Sequence, residues 1–134
     1  MITPAEIALT ASKYIQAHYS EIKTVRDISY SLGIPYEKLR KIFPRIMGVS
    51  LQEYVHLTRV DRAKTLVLAH TKLYSIAREV GYNDEVEFIR HWKKIMKMTP
   101  TEFRIATNGI EVSQECHPTL IPIKSNAFFL ISLA

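Results

Sequence analysis

Apolar positions in this chain recur with the period of a helix, and they do so twice in the same arrangement. The first stretch reads Val25-x-x-Ile28-Ser29-x-x-Leu32-Gly33, then Leu39-x-x-Ile42-Phe43-x-x-Ile46. The second reads Leu73-x-x-Ile76-Ala77-x-x-Val80-Gly81, then Phe88-x-x-His91-Trp92-x-x-Ile95. Gly33 maps onto Gly81 at an offset of 48 and Phe43 onto Trp92 at an offset of 49, so the one-residue difference falls in the turn, where an insertion costs least. Each copy predicts a short helix, a tight turn with glycine and a longer helix. That is the layout that seats a second, recognition helix in a DNA major groove. In each copy a small residue, Ser29 or Ala77, stands where the two helices must approach, and the glycine allows the positive φ of a sharp helix exit.

The same periodicity predicts helices over 4–19, 24–32, 35–47, 50–68, 73–80, 84–97 and 100–106. Thr3-Pro4-x-Glu6, Ser50-x-x-Glu53, Asp84-x-x-Glu87 and Thr99-Pro100-x-Glu102 mark starts, pairing a capping side chain with an acid three residues on. Ile7, Ala11, Tyr14, Ile15 and His18 or Tyr19 line one side of the first helix; Leu51, Tyr54, Val55, Thr58 and Leu66 mark the long middle one. No stretch of the first 106 residues alternates strictly, so no sheet is expected there. The fold class is therefore all-α: seven helices in two helix-turn-helix lobes, 1–50 and 69–106, joined by a connecting helix over 51–68, with a C-terminal extension over 107–134. The helix from Ser50 to Leu68 is roughly 28 Å long, against about 34 Å between successive major-groove faces on one side of B-DNA. A stiff rod of that length would hold two recognition helices near the right separation, at a cost of a few kcal/mol in DNA bending.

Composition narrows the partner. Lys and Arg number 18 against 13 Asp and Glu, for a net charge of +5. Residues 107–134 contribute only Glu111, Glu115 and Lys124, so the helical part carries 17 of the basic and 11 of the acidic groups. A positive field on a small helical domain favours nucleic acid or another anionic surface. Cys116 is the single cysteine, which excludes an internal disulfide and fits a cytoplasmic location. No signal-peptide pattern opens the sequence, and no apolar run is long enough to span a bilayer.

The helical angle sorts the candidate contacts. On the helix from Pro35, Leu39, Ile42, Phe43 and Ile46 are expected inside, and Glu37, Arg40, Lys41 and Pro44 outside, flanked by Lys38 and Arg45; Tyr36, at its start, joins the candidate DNA contacts. Arg40 and Lys41 are the leading candidates for guanine O6 and N7 or for phosphate; Lys38 and Arg45 are assigned to phosphate or solvent. Glu37 either accepts from a cytosine amino group or offsets the charge of its neighbours. On the helix from Asp84, Phe88, Trp92 and Ile95 face inward, and Val86, Arg90, Lys93 and Lys97 outward, with Lys94 beside them. Val86 could meet a thymine methyl, and Arg90 leads as a base or phosphate contact. Asp84, Glu85 and Glu87 suit the helix dipole but are poor neighbours for phosphate, so the second copy is expected to bind more weakly. Against this stands the bland reading that exposed cations merely solvate a helix face; the doubled motif weighs against it.

Several runs of this chain resemble the DNA-binding domain of the AraC/XylS family of bacterial transcription regulators. They are Ile76-Ala77-x-x-Val80-Gly81-Tyr82-x-Asp84, Phe88-x-Arg90-x-Trp92-Lys93-Lys94 and Met98-Thr99-Pro100-x-x-Phe103-Arg104, then Asp27-Ile28-x-x-x-Leu32-Gly33-Ile34 and Leu39-x-x-Ile42-Phe43-x-x-x-x-Gly48-x-Ser50, with Arg59 and Ala63 between. The resemblance covers roughly residues 5–106. It implies a seven-helix, two-lobed domain on promoter DNA, usually activating through RNA polymerase. It places DNA contacts at Glu37, Lys38, Arg40 and Lys41 and at Glu85, Val86, Glu87 and Arg90. Departures are Pro35 for a capping serine, Pro44 for a lysine, Val86-Glu87 for a polar-aromatic pair and His91 for an aliphatic residue. Family members often carry an effector-binding or dimerisation domain before this one; the chain shows none, so a stand-alone regulator, a fragment of a longer one and a homodimer stay open.

Two contrasting functions each have a motive in the sequence. An alkyl-transferring repair enzyme would need a reactive cysteine, but Cys116-His117-Pro118 lacks the order of such a nucleophile. A protein-binding module without DNA is the other, motivated by the acids at 84–87. The histidines at 18, 56, 70 and 91 show no metal-ligand spacing, and no cofactor is expected.

Overall fold

The computed structural model describes residues 3–69 and 71–107 and, for their main chain, 120–122 and 128–130. Seven helices follow in order: α1 Pro4–His18, α2 Val25–Leu32, α3 Tyr36–Met47, α4 Leu51–Leu68, α5 Leu73–Val80, α6 Glu85–Met96 and α7 Pro100–Thr107. Each bound lies within one residue of the expected one, because the caps set it. The Thr3 hydroxyl accepts from the Glu6 N–H at 3.1 Å while the Glu6 carboxylate accepts from the Thr3 N–H at 2.9 Å. Thr99 and Glu102 repeat the exchange ahead of α7. Ser50 and Asp84 accept from the N–H groups of Glu53 and Glu87. Pro35 is the N-cap of α3 rather than its first residue, its carbonyl accepting from Lys38 and Leu39.

Two hydrophobic cores share α4. The first joins Ile7, Ala8, Ala11 and Ile15 of α1 to Ile28, Leu39 and Phe43, closed by Leu51, Tyr54, Val55 and Leu57 of α4. The second joins Val60, Ala63 and Val67 of α4 to Ile76, Ala77 and Val80 of α5, Tyr82, and Phe88 and Trp92 of α6, with Phe103 of α7 packed on it. A helix that serves two cores must be apolar on most of its circumference, and α4 buries ten of its 18 residues. Phe43 meets Tyr54 edge-on at 5.4 Å in the first core, as Trp92 meets Phe103 at 5.3 Å in the second. Arg104 closes the far end, donating to the carbonyls of Val67 and Thr71.

One expected core residue lies outside. Ile46 is 46% exposed, because the end of the first core is filled instead by Val49, in the turn after the helix, with Met47 packed against it. Ala77 is fully buried at its helix crossing, whereas Ser29 is half-buried and turns its hydroxyl back to the Arg26 carbonyl. In the extension, Leu120–Pro122 and Phe128–Leu130 pair antiparallel, Ile121 opposite Phe129. Both cores are nonetheless helical. Asn108-Gly109, whose residue types suit a stop for the last helix, lies outside the described residues, as do Cys116 and His70.

His91 is half-buried between α6 and α4. Its ring stacks on His56 of α4 at 3.7 Å, and the Tyr82 ring lies beside the pair, nearly parallel to both, at 5.4 Å from His91 and 5.7 Å from His56. The Tyr82 hydroxyl lies 2.7 Å from His56 Nδ1. Burial, then the charges of His91, Arg59, Lys94 and Arg90, pulls the His56 imidazole down from 6.5 to about 3. Burial followed by Arg90 lowers His91 as well. Burial also pushes the Tyr82 hydroxyl up, so it stays protonated and donates to the neutral ring.

Two predictions follow from this packing. Phe43→Ala should cost about 3–5 kcal/mol in urea unfolding, while Tyr30→Ala, at a side chain 90% exposed, should stay within about 0.5 kcal/mol. The histidine pair sets a pH window. Because the folded value of His56 is depressed, the unfolded chain takes up its proton first; stability is full above about pH 6.5 and drains as pH falls towards 3. The urea midpoint should therefore drop between pH 7 and 4.5, and His56→Phe should flatten the drop. An equal drop in the variant would remove His56 from the explanation.

Candidate nucleic-acid interface

The two longer helices of the repeat carry their outward faces free of the rest of the body. On α3, burial of Leu39 and Phe43, with Ile42 half-buried, turns Glu37, Lys38, Arg40, Lys41 and Arg45 to solvent. Tyr36 starts the helix half-buried, and the Arg26 guanidinium lies 4.3 Å over its ring. Arg40 donates to the Glu37 carboxylate at 2.7 Å, one helical turn back. That hydrogen bond, more than the charges of Arg40, Lys41 and Arg26, holds the Glu37 carboxyl below its usual range, and it raises Arg40 in turn. Glu37 is thus ionised and sets the direction of Arg40. Its expected role of offsetting neighbouring charge has a geometric form, although exposure of both groups keeps the pair weak.

On α6, burial of Phe88 and Trp92 turns Arg90, Lys93 and Lys94 outward, and Val86 is 74% exposed. Glu85 and Glu87 are half-buried in the first turn, and the cap itself is the Asp84 carboxylate on the Glu87 N–H at 2.8 Å. The helix ends at Lys97, which adopts the left-handed conformation at φ 63°, a place usually given to glycine. The two faces differ in charge. Lys38, Arg40, Lys41 and Arg45 outweigh the one carboxylate of Glu37, whereas Arg90, Lys93 and Lys94 share their helix with Glu85 and Glu87.

Gly33 and Gly81 exit their helices at φ 68° and 110°, as the repeat requires. A Cβ on Gly33 would meet nothing, but one on Gly81 would lie 3.0 Å from the Arg59 guanidinium. The sequence reading did not single out Arg26 as part of the surface. It belongs to α2 and reaches Tyr36 across the turn, a pairing that helical spacing within one element cannot reveal. Among the described residues there is no cluster of three or more His, Cys, Asp or Glu fit to hold a metal ion, and no helix is long and apolar enough to cross a membrane.

A family model described as a helix-turn-helix domain matches residues 28–106. An uncharacterised HTH-type transcriptional regulator, YisR of Bacillus subtilis, is 30% identical over 99 residues, covering 73% of this chain. The lactose operon transcription activator of Staphylococcus xylosus is 32% identical over 95 residues, covering 70%. The matched region is 34% of the length of each of these two relatives. Among solved structures, the C-terminal domain of AraT, a response regulator from Geobacillus stearothermophilus, superposes with a TM-score of 0.72 at 26% identity, covering 83% of this chain and 93% of that one. With the helix order, the doubled turn and these matches agreeing, the chain belongs to the AraC-type helix-turn-helix family of DNA-binding transcription regulators.

Proposed function

We propose that this chain reads promoter DNA with α3 and α6 in two successive major-groove segments on one face of the duplex, and that it activates transcription by contacting RNA polymerase. The observation that carries the reading is the exposure of the outward faces of both α3 and α6, two helices packed against one continuous helix, α4. With 18 residues, α4 spans about 27 Å, short of the roughly 34 Å of a DNA turn, so both helices enter if the duplex bends modestly. On α3, Arg40 is the base-reading residue, aimed by Glu37; Lys38, Lys41 and Arg45 take phosphates, and Tyr36 packs at the groove edge. On α6, Arg90 reads a base or holds a phosphate, Val86 meets a thymine methyl, and Lys93 and Lys94 follow the backbone. Glu85 and Glu87 serve the helix dipole and make this the weaker half. The activating role is favoured by the name of the Staphylococcus xylosus relative.

Asp84, Glu85 and Glu87 favour one second reading, a protein-binding module without DNA. Fluorescence anisotropy with duplexes selected from a randomised library separates the two. Affinity should fall steeply as salt rises, with a slope set by the number of phosphates neutralised. A response flat in salt supports the protein-binding module. Arg40→Ala should cost about 1–3 kcal/mol and relax preference at one position, with a smaller loss for Arg90→Ala. If neither change weakens binding, the assignment of these faces is wrong.

A further inference from the structure

We propose that Arg59 is a positioning residue that fixes the separation and relative orientation of the two recognition helices, and so the spacing of DNA half-sites that the chain accepts. This rests on the two-segment reading above. Arg59 lies near the middle of α4, between the residues that feed the first core and those that feed the second. It is only 6% exposed. On one side its Nε donates to the Tyr19 carbonyl at 2.9 Å and its Nη2 to the Ile22 carbonyl at 2.7 Å. Both carbonyls belong to the turn between α1 and α2, in the half of the molecule that carries α3. On the other side its guanidinium lies 5.0 Å from the Tyr82 ring centroid and against Gly81, in the turn between α5 and α6. One planar group therefore touches the turn that leads into the first helix-turn-helix and the turn within the second.

Burying a guanidinium is expensive, and burial indeed lowers its affinity for the proton. An apolar side chain would fill the same space without that cost. What only the guanidinium supplies is a fork with fixed angles, able to hold two carbonyls at once while its face stacks on an aromatic ring. Gly81 is part of the same arrangement. A Cβ there would press on the guanidinium at 3.0 Å, so the second turn can close on Arg59 only without a side chain. Open polar space flanks the contact, lined by Ser20, Lys23, Arg78 and Asn83. Tyr19, in the turn after α1, also packs on the second core, with Arg62 over its ring at 5.7 Å, but among the described residues Arg59 alone holds the main chain of that turn by hydrogen bonds while touching Gly81 and Tyr82.

The proposal separates from a plain folding role by what should change and what should not. Spin labels at Thr10→Cys on α1 and Thr101→Cys on α7, with Cys116→Ser, report the distance between the halves in the full chain without DNA. A narrow distribution is expected with Arg59 and a broadened, shifted one in Arg59→Met. Circular dichroism and the emission of the single tryptophan, Trp92, should stay as they were, showing both cores intact. In the second arm, duplexes selected by the unmodified chain are given one or two extra base pairs between their halves, or are cut to one half. The advantage of the native spacing should fall by about tenfold in Arg59→Met, while single-half affinity holds. Arg59→Lys, which keeps the charge but has neither the rigid fork for two carbonyls nor a planar face for Tyr82, should behave as Arg59→Met does, and it carries the test if the methionine variant fails to fold. A distance distribution and spacing preference unchanged in either variant overturns the proposal. So does loss of Trp92 burial together with single-half affinity, which would mark Arg59 as a folding residue alone. If the unmodified chain binds no duplex, the two-segment reading falls, and the label distances still judge the clamp.

Discussion

Everything in this molecule hangs on one helix being buried from two directions. Neither set of short helices encloses enough apolar surface by itself. α2 and α5 have eight residues each, a length at which an isolated helix does not persist in water. They exist because α4 gives Tyr54, Val55 and Leu57 to one group and Val60, Ala63 and Val67 to the other. The rod is thus a wall common to two rooms rather than a spacer between two finished modules. Thr58 of this helix is fully buried and returns its hydroxyl to the Tyr54 carbonyl within the helix, so it adds no unmet demand to either core.

That arrangement makes the two reading units similar in frame and different in chemistry. Both present a helix whose inner side is aromatic, Phe43 or Phe88 with Trp92, and whose outer side is basic. On the first, an acid one turn from an arginine orients it. On the second, the acids gather at the N-terminus, where they satisfy backbone groups and the dipole rather than steer a cation. Affinity and selectivity are accordingly expected to be unequal between the halves, the first supplying more of the attraction and the second more of the register.

Most of the fold was legible because its signals are local. Caps at Thr3, Ser50, Asp84 and Thr99 fix four helix starts, and glycines at 33, 48 and 81 fix three ends, all within the reach of a few residues. The doubled motif likewise announced which faces turn outward, since the period that buries Leu39 and Phe43 also exposes Arg40 and Lys41. What escaped was non-local. Ile46 shares the angle of Leu39, yet residues after the helix took its place in the core. The stacking partner of His91 is His56, 35 positions away in the chain. Arg59 matched a family pattern, but its two carbonyl partners lie 40 and 37 residues upstream, where no spacing rule reaches.

Pro44 carries a further consequence. It sits inside α3, where it has no N–H to give the Arg40 carbonyl, and a proline in a helix interior costs about 3 kcal/mol relative to alanine. The segment from Tyr36 to Met47 is therefore a poor autonomous helix. It is held in shape by docking Leu39 and Phe43 rather than by its own hydrogen-bond ladder. Any weakening of that seat by heat, acid or a distant substitution would unwind the outward basic face along with it. The ordered display of its charges thus depends on the seat of Leu39 and Phe43 in the core as well as on the helix itself.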